Sequence, residues 1–367
     1  MPAKGVTPIV MSSQPGSVAV IGGGVIGLSV AREAARGGWR VTVHDDGRKG
    51  PSWVAGGMLA PYSEAWPGED DLLDLGIESL RIWRDGFIDD ADNTVITARG
   101  SLTVAVDTAD VGELRTMIDW LAGQGRTVAE TTNARDVEPL LAQNIRRGFT
   151  ASEELAVDNR KVLQALTADC AALGVRRGPA VANLDEASAD QIVVANGVDA
   201  AALANLPVRP VKGEVLRLRR RPGAMPPPTH VIRARVHGRH VYLVPREDGV
   251  VVGATQYEHG HDTAPAVAGV RDLLDDACAV LPCLGEYEFA ECAAGLRPMT
   301  EDNLPLVGRI DDRTLVAAGH GRSGFLLAPW TAKTIGALLD GGESPAAVDP
   351  RRFEKAPSLS RPSQEAR

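Results

Sequence analysis

Residues 18 to 46, VAVIGGGVIGLSVAREAARGGWRVTVHDD, constrain the fold of this chain more than any other stretch. An apolar run, Val18 to Ile21, enters the pattern Gly22-x-Gly24-x-x-Gly27; a helical stretch follows to Arg36, then a Gly-Gly stop and a second apolar run ending at Asp45. Glycines at those spacings let the turn close and bring backbone near a pyrophosphate, which then rests on the amide-rich, positive N-terminus of the helix. Asp45 stands about 20 residues on, where a carboxylate accepts hydrogen bonds from a ribose hydroxyl. An acid there disfavours a 2′-phosphate, so NADP is the least suited dinucleotide. The motif alone does not separate NAD from FAD. Residues 51 to 61, PSWVAGGMLAP, place Gly56 and Gly57 soon after the acidic residue, and such a small-residue segment suits close approach to a planar ring.

The rest of the chain changes pattern twice. Leu73, Ile77 and Leu80 recur at helical spacing, GSLTVAVD (100 to 107) reads as a strand, and DVGELRTMIDWLAGQG reads as a helix with Asp110 as N-cap and Glu113 three residues on. These make an inserted strand-and-helix unit. NRKVLQALTADCAALG returns to a core-facing helix with Leu163, Leu166, Cys170 and Leu173 on one face, and QIVVANG (191 to 197) to a buried strand ending in Gly197. From Val211 to Val252, VKGEVLRLR, HVIRARV, HVYLVPR and GVVVGAT alternate as four strands with short turns, which predicts an antiparallel sheet able to wall a pocket. A helix around 267 to 280, the stretch CAAGLRPMTEDNLPLVG (292 to 308), the strand TLVAAG, the loop GHGRSG and a last helix complete the chain.

A formal net charge of -9 argues against a nucleic acid or an anionic membrane as partner, and RLRRRP (217 to 222) marks a solvated strand end. Cys170, Cys278, Cys283 and Cys292 match no zinc spacing, so reduced thiols and no metal site are expected. No apolar run approaches the roughly 18 residues of a membrane span, and no basic-then-apolar leader opens the chain, so a cytoplasmic protein is expected. Residues 1 to 16, with a second Met at position 11, and 346 to 367 are expected to be disordered tails.

In their order and spacing, IGGGVIG, AGGMLAP, VVANG, VYLVPR, GLRP with NLPLVG, and GHGRSGFLLAP resemble the D-amino-acid oxidase-like flavoproteins, and within them the glycine oxidases of thiamine biosynthesis. The resemblance runs from about residue 17 to about residue 340 and implies an α/β fold. A Rossmann-like FAD-binding domain (17–68, 151–210 and 290–345) would join a second, α+β substrate domain built on an antiparallel sheet (69–150 and 211–289). It implies adenosine over Gly22, Gly24, Val25, Ile26, Gly27 and Asp45, with Val181 and Gly197 contributing, and a flavin ring against Ala55, Gly56, Gly57 and Met58. The loop of Gly319, His320, Gly321, Arg322, Ser323, Gly324 and Phe325 would cover that ring. The related sarcosine oxidases hold their flavin covalently through a cysteine near the ring, and Cys292, five residues before Arg297, is the cysteine to compare with it; the intact GLRP implies non-covalent FAD.

On the substrate side the resemblance implies that Arg297 grips a carboxylate by a bidentate pair. Tyr242 donates its hydroxyl to the same group, Arg322 stands near the pocket mouth, and His240 and Gln256 line the pocket. In this family the amine loses its α-hydrogen as hydride to the flavin, no side chain acting as acid or base; oxygen reoxidises the flavin to give peroxide, and from glycine the imine is either hydrolysed by water to glyoxylate and ammonia or passed on as iminoglycine. Sarcosine and D-alanine are further expected substrates. A broader D-amino-acid oxidase, or a dehydrogenase passing electrons to another acceptor, is the alternative, and a homotetramer follows by family analogy.

Overall fold

The computed structural model describes residues 16–89 and 94–353. The chain runs β1 (Ser17–Ile21), α1 (Val25–Arg36), β2 (Arg40–His44), the single turn α2 (Pro51–Val54), β3 (Met58–Leu59), α3 (Asp70–Arg84), β4 (Ile96–Ala105) and α4 (Thr108–Gly123). It continues through β5 (Ala129–Thr131), β6 (Gly148–Val157), α5 (Asn159–Ala172), β7 (Arg176–Gly178), β8 (Gln191–Val194), the short α6 (Ala200–Leu203), β9 (Arg209–Arg219) and β10 (Val231–Val236). Then come β11 (Arg239–Arg246), β12 (Gly249–Gly253), α7 (Val267–Val280), β13 (Glu288–Met299), β14 (Leu306–Arg309), β15 (Thr314–Ala318) and α8 (Gly324–Leu339).

Two sheets organise these elements. The first has the order β14-β15-β8-β1-β2-β7, parallel except for the antiparallel edge strand β14. Its strands are short apolar runs because helices cover both faces; Val20, Val43, Val193 and Leu315 pack with Leu28 of α1, Leu166 of α5 and Leu327 of α8. The second has the order β13-β9-β12-β11-β10-β4-β6-β3, with β5 also on β6, and is antiparallel except where β10 meets β4. Behind it α7 packs Leu273, Ala277 and Val280 against Leu216, Leu218 and Leu243.

Several expectations shift against this architecture. The expected return to the first sheet at residue 290 is delayed: β13 pairs with β9 from Glu288 through Met299, and the chain rejoins the parallel sheet at Leu306. Residues 151–157, expected on the dinucleotide side, likewise lie in β6 of the second sheet. Helix α4 starts a turn earlier than expected. Asp107, not Asp110, is the N-cap, with Oδ1 accepting from the Ala109 and Asp110 amides at 2.8 and 3.1 Å while Asp110 reaches back to the Asp107 amide. Val181, expected within a strand formed by GPAVANL, lies on a loop instead, since β7 ends at Gly178 before Pro179, which has no N–H to extend the ladder. Of the two expected tails, residues 1–15 and 354–367 lie outside the described residues, whereas 346–353 is packed. Val348 is buried, and the Arg352 guanidinium bonds Asp302 and the carbonyls of Leu304 and Pro305.

Candidate active site

At the head of α1 the glycines are required by contact. Gly22 has φ +116, and a Cβ there would lie 2.4 Å from the Ala195 carbonyl oxygen; one on Gly27 would lie 1.9 Å from the Gly22 carbonyl oxygen. Gly24, the extended N-cap, offers no capping side chain. The Val25 amide donates to Ser52 Oγ at 3.1 Å, a contact the sequence did not announce. Asp45 stands beside this turn, close enough that a Cβ on Gly23 would lie 2.5 Å from Oδ2. Gly197, with φ +67, opens the turn after β8. The groove at this helix N-terminus is thus lined by backbone, positive in potential, with one carboxylate at its edge, which fits a dinucleotide's diphosphate and ribose. Val181 lies half-buried on the loop after β7, among the residues packed beside β1 and β8.

The second glycine pair faces the other sheet. Gly57 (φ +77) has the Val157 carbonyl 2.1 Å from where a Cβ would stand, and β3 begins at Met58 beside it. Gly56 is pressed against Tyr242, whose Cε2 would lie 2.8 Å from a Gly56 Cβ. Two residues missed in the sequence brace this segment. Asn159 is buried; its Nδ2 donates to the Ser52 and Trp53 carbonyls at 2.9 and 2.8 Å, and its Oδ1 accepts from Arg217 at 2.9 Å. Arg246, also buried, donates to the Gly56 carbonyl at 2.8 Å. Burial pushes its pKa down to about 10, so it keeps its charge at neutral pH. In the sequence Asn159 reads as a helix start and Arg246 as a strand end, and neither signals a long-range brace.

The C-terminal loop closes over this region. Gly319 (φ +71) and Gly321 (φ +53) hold it against Thr300 and Met299, whose side chains would meet added Cβ atoms at 2.7 Å. His320 points inward, 2.9 Å from Thr331 Oγ1, and burial pushes its pKa down to about 3, so the imidazole is neutral. Phe325 is buried with its carbonyl accepting from Trp83 Nε1 at 3.0 Å. The side chains of His320 and Phe325 therefore serve the core, and the start of α8 has no side-chain cap.

Register assembles the remaining residues. Tyr242 lies opposite Gly253, Gly253 opposite Val215, and Val215 opposite Ala293; Arg297, four residues along β13, points to the same face. The Arg297 guanidinium lies flat on Gly213, whose Cβ would meet Cζ, Nη1 and Nη2 all at 2.4 Å, and Nη1 donates to the Thr255 carbonyl at 3.1 Å. Among the described residues no carboxylate pairs with Arg297, and the Tyr242 hydroxyl has no hydrogen-bond partner. Burial raises the Tyr242 pKa, with the Arg297 guanidinium pulling the other way, so the phenol remains a donor. Arg322 is engaged, ion-paired with Glu69 and 3.3 Å from the Glu64 carbonyl oxygen. Arg233, opposite Tyr242 on β10, pairs with Glu64 at 2.8 Å. His240 and Gln256 are exposed, at the rim of this face. Cys292 pairs with Leu216 in the ladder and packs into the cluster behind the sheet, on the face opposite Arg297.

A family model described as FAD dependent oxidoreductase matches residues 17–338. A bifunctional protein ThiO/ThiG of Synechocystis is 34% identical over 92% of this chain, which spans 54% of that longer protein. A putative thiamine biosynthesis oxidoreductase ThiO of Rhizobium etli is 34% identical, covering 88% of this chain and 96% of its own length. The crystal structure of glycine oxidase from Geobacillus kaustophilus aligns with a TM-score of 0.81 at 27% identity, over 93% of this chain and 99% of that one. Among the described residues no helix is long and apolar enough to cross a membrane.

Proposed function

The chain belongs to the FAD dependent oxidoreductase family, and on that premise we propose that it oxidises the amine of a small amino acid, glycine foremost, in thiamine biosynthesis. One observation carries the reading: an Arg297 guanidinium that has no acidic partner among the described residues, beside a Tyr242 hydroxyl that has no hydrogen-bond partner among them, on the sheet face pressed against Gly56. That pair of donors fits a carboxylate, which takes charge-assisted bonds from both. FAD, held without a covalent bond by the α1 groove and the Ala55–Met58 segment, supplies the acceptor for the electrons and α-hydrogen that leave the substrate.

The protein's part is orientation. Arg297 and Tyr242 fix the carboxylate, so the α-carbon of a bound amino acid is held toward the Gly56 and Gly57 segment instead of tumbling. None of these residues needs to move a proton. Walls on this face are small, with Gly253, Val215 and Ala293 in one row, which suits glycine. A further methyl alters binding by only about 1 to 3 kcal/mol in an apolar pocket, so sarcosine and D-alanine should also react. From glycine the products are hydrogen peroxide with either glyoxylate and ammonia, after water hydrolyses the imine, or iminoglycine handed on intact. Gln256, polar and at the rim, favours the competing reading of a broader D-amino-acid oxidase.

Peroxide release by the purified yellow protein with glycine, sarcosine, D-alanine and D-proline tests this. The expected order places glycine first by kcat/KM. A larger kcat/KM for a D-amino acid replaces glycine as substrate, and reduction of a dye without peroxide replaces oxygen as acceptor.

A further inference from the structure

Behind the strand that carries Arg297, two opposite charges sit where the sheet is otherwise apolar. On β9 the even positions face the second core: Leu216 and Leu218 pack there, yet Lys212 and Glu214 share that face with side chains 1% and 0% exposed. Burying two charges is costly and is no efficient source of stability, so such pairs are best explained by the geometry they specify.

Their partners all lie on one segment. Lys212 Nζ donates to Asp262 Oδ2 at 2.6 Å and to the Ala264 carbonyl at 2.7 Å, and lies 3.6 Å from Glu214 Oε1. The backbone of Lys212 bonds Tyr257 in both directions, at 2.8 and 3.0 Å. Glu214 Oε1 accepts from the Ala266 amide at 2.7 Å, which caps α7 because Ala266 has no capping side chain of its own. The Glu214 amide donates to Thr255 Oγ1 at 3.0 Å, and Glu214 Oε2 is packed against Gly269, where a Cβ would stand 1.8 Å away. The connection from β12 to α7 forms no helix and only the isolated bridge of Tyr257 to Lys212. It is thus held from Thr255 to Ala266 largely by these two side chains and their backbone.

That connection begins at Thr255, whose carbonyl oxygen takes the hydrogen bond from Arg297 Nη1, and it carries Gln256 at the pocket rim. We propose that Lys212, with Glu214 and Asp262, is a positioning residue for carboxylate binding: it anchors the connection at Asp262 and Ala264, and through that connection Thr255 and the direction in which the Arg297 guanidinium is presented. This rests on the proposed amino-acid oxidase activity and deepens it.

The test uses the flavin-loaded enzyme and two readouts, the change in flavin absorbance on titration with acetate and the steady-state KM and kcat for glycine. Lys212→Met should raise the acetate Kd and the glycine KM together by about tenfold, which is about 1.4 kcal/mol. Flavin content and kcat should stay within about twofold of wild type, and Lys212→Arg should recover most of the loss. A merely structural role lowers the melting temperature and leaves Kd and KM alone, and that result overturns the proposal. Should Lys212→Met not fold, Asp262→Asn at the half-exposed end of the cluster must give a smaller rise of the same sign, about threefold; no rise also overturns it. If wild-type enzyme shows neither an acetate response nor peroxide with any amine, the oxidase reading itself falls, and this inference with it.

Discussion

At the scale of single residues, the site depends on glycines that act by leaving room for other side chains. Gly213 lies inside strand β9 and has no turn to make, yet its missing Cβ is where the Arg297 guanidinium lies. Gly213→Ala would put a methyl 2.4 Å from Cζ, forcing the guanidinium off the sheet, and displacements of this kind cost about 1 to 3 kcal/mol. The expected outcome is a glycine KM raised about tenfold with flavin content unaltered, read from steady-state kinetics on the purified holoenzyme. Arg297→Ala should go further. Losing two charge-assisted bonds at about 1.5 to 3 kcal/mol each predicts a KM increase of 100-fold or more, again with an intact flavin spectrum. Loss of flavin instead would assign Arg297 to the cofactor.

At the scale of elements, the dinucleotide unit is legible because every cue for it is local: an apolar run, three spaced glycines, a stop and an acid within about 30 residues. The four strands from Val211 to Val252 are legible for the same reason. Pairing is not. Nothing local in GLRP shows that it lies in a strand twelve residues long running antiparallel to β9, or that β10 runs parallel to β4, because register is decided by partners far off in sequence. The start of α4 is ambiguous in sequence because Asp107 and Asp110 are both good caps, and the buried return of Asp110 to the Asp107 backbone settles which one leads. Asn159 escapes a sequence reading on the same grounds as the pairing, although it ties α2 to β9 and β11 in one contact set. Asn159→Ala should strand the Ser52 and Trp53 carbonyls and remove an acceptor from Arg217. At about 1 to 3 kcal/mol for each buried group left unpaired, it should melt several degrees lower and retain less flavin after extensive dialysis, while keeping the wild-type KM in the fraction that stays loaded.

At the scale of the whole molecule, one buried cluster joins the two sheets. Helix α3, which leads into the strands of the second sheet, packs Leu73, Ile77, Leu80 and Trp83 into the same cluster as Leu327 and Ile335 of α8 and Val20 and Val193 of the first sheet. Ser79 Oγ and Trp83 Nε1 both donate to the start of α8, at 2.6 and 3.0 Å. Because helix α3 is packed into the cluster that joins the sheets, unfolding followed by flavin fluorescence and by far-UV circular dichroism should give one coincident transition. His320 makes that transition respond to acid in a defined way. Its folded pKa of about 3 lies below the usual 6.5 because burial disfavours the cation. Between those two values the unfolded chain binds a proton that the native state does not, so stability must fall as pH drops from 6.5 toward 3, by up to about 1.4 kcal/mol per pH unit from this one group. Above pH 6.5 the group contributes no slope, since both states are neutral there. In His320→Gln, which cannot titrate, the difference in unfolding free energy from wild type should therefore be flat above pH 6.5 and should shift in the variant's favour steadily below it. Parallel curves for the two proteins from pH 7 to pH 4 would mean that His320 takes up its proton without leaving the fold, and that its contact with Thr331 yields at little cost.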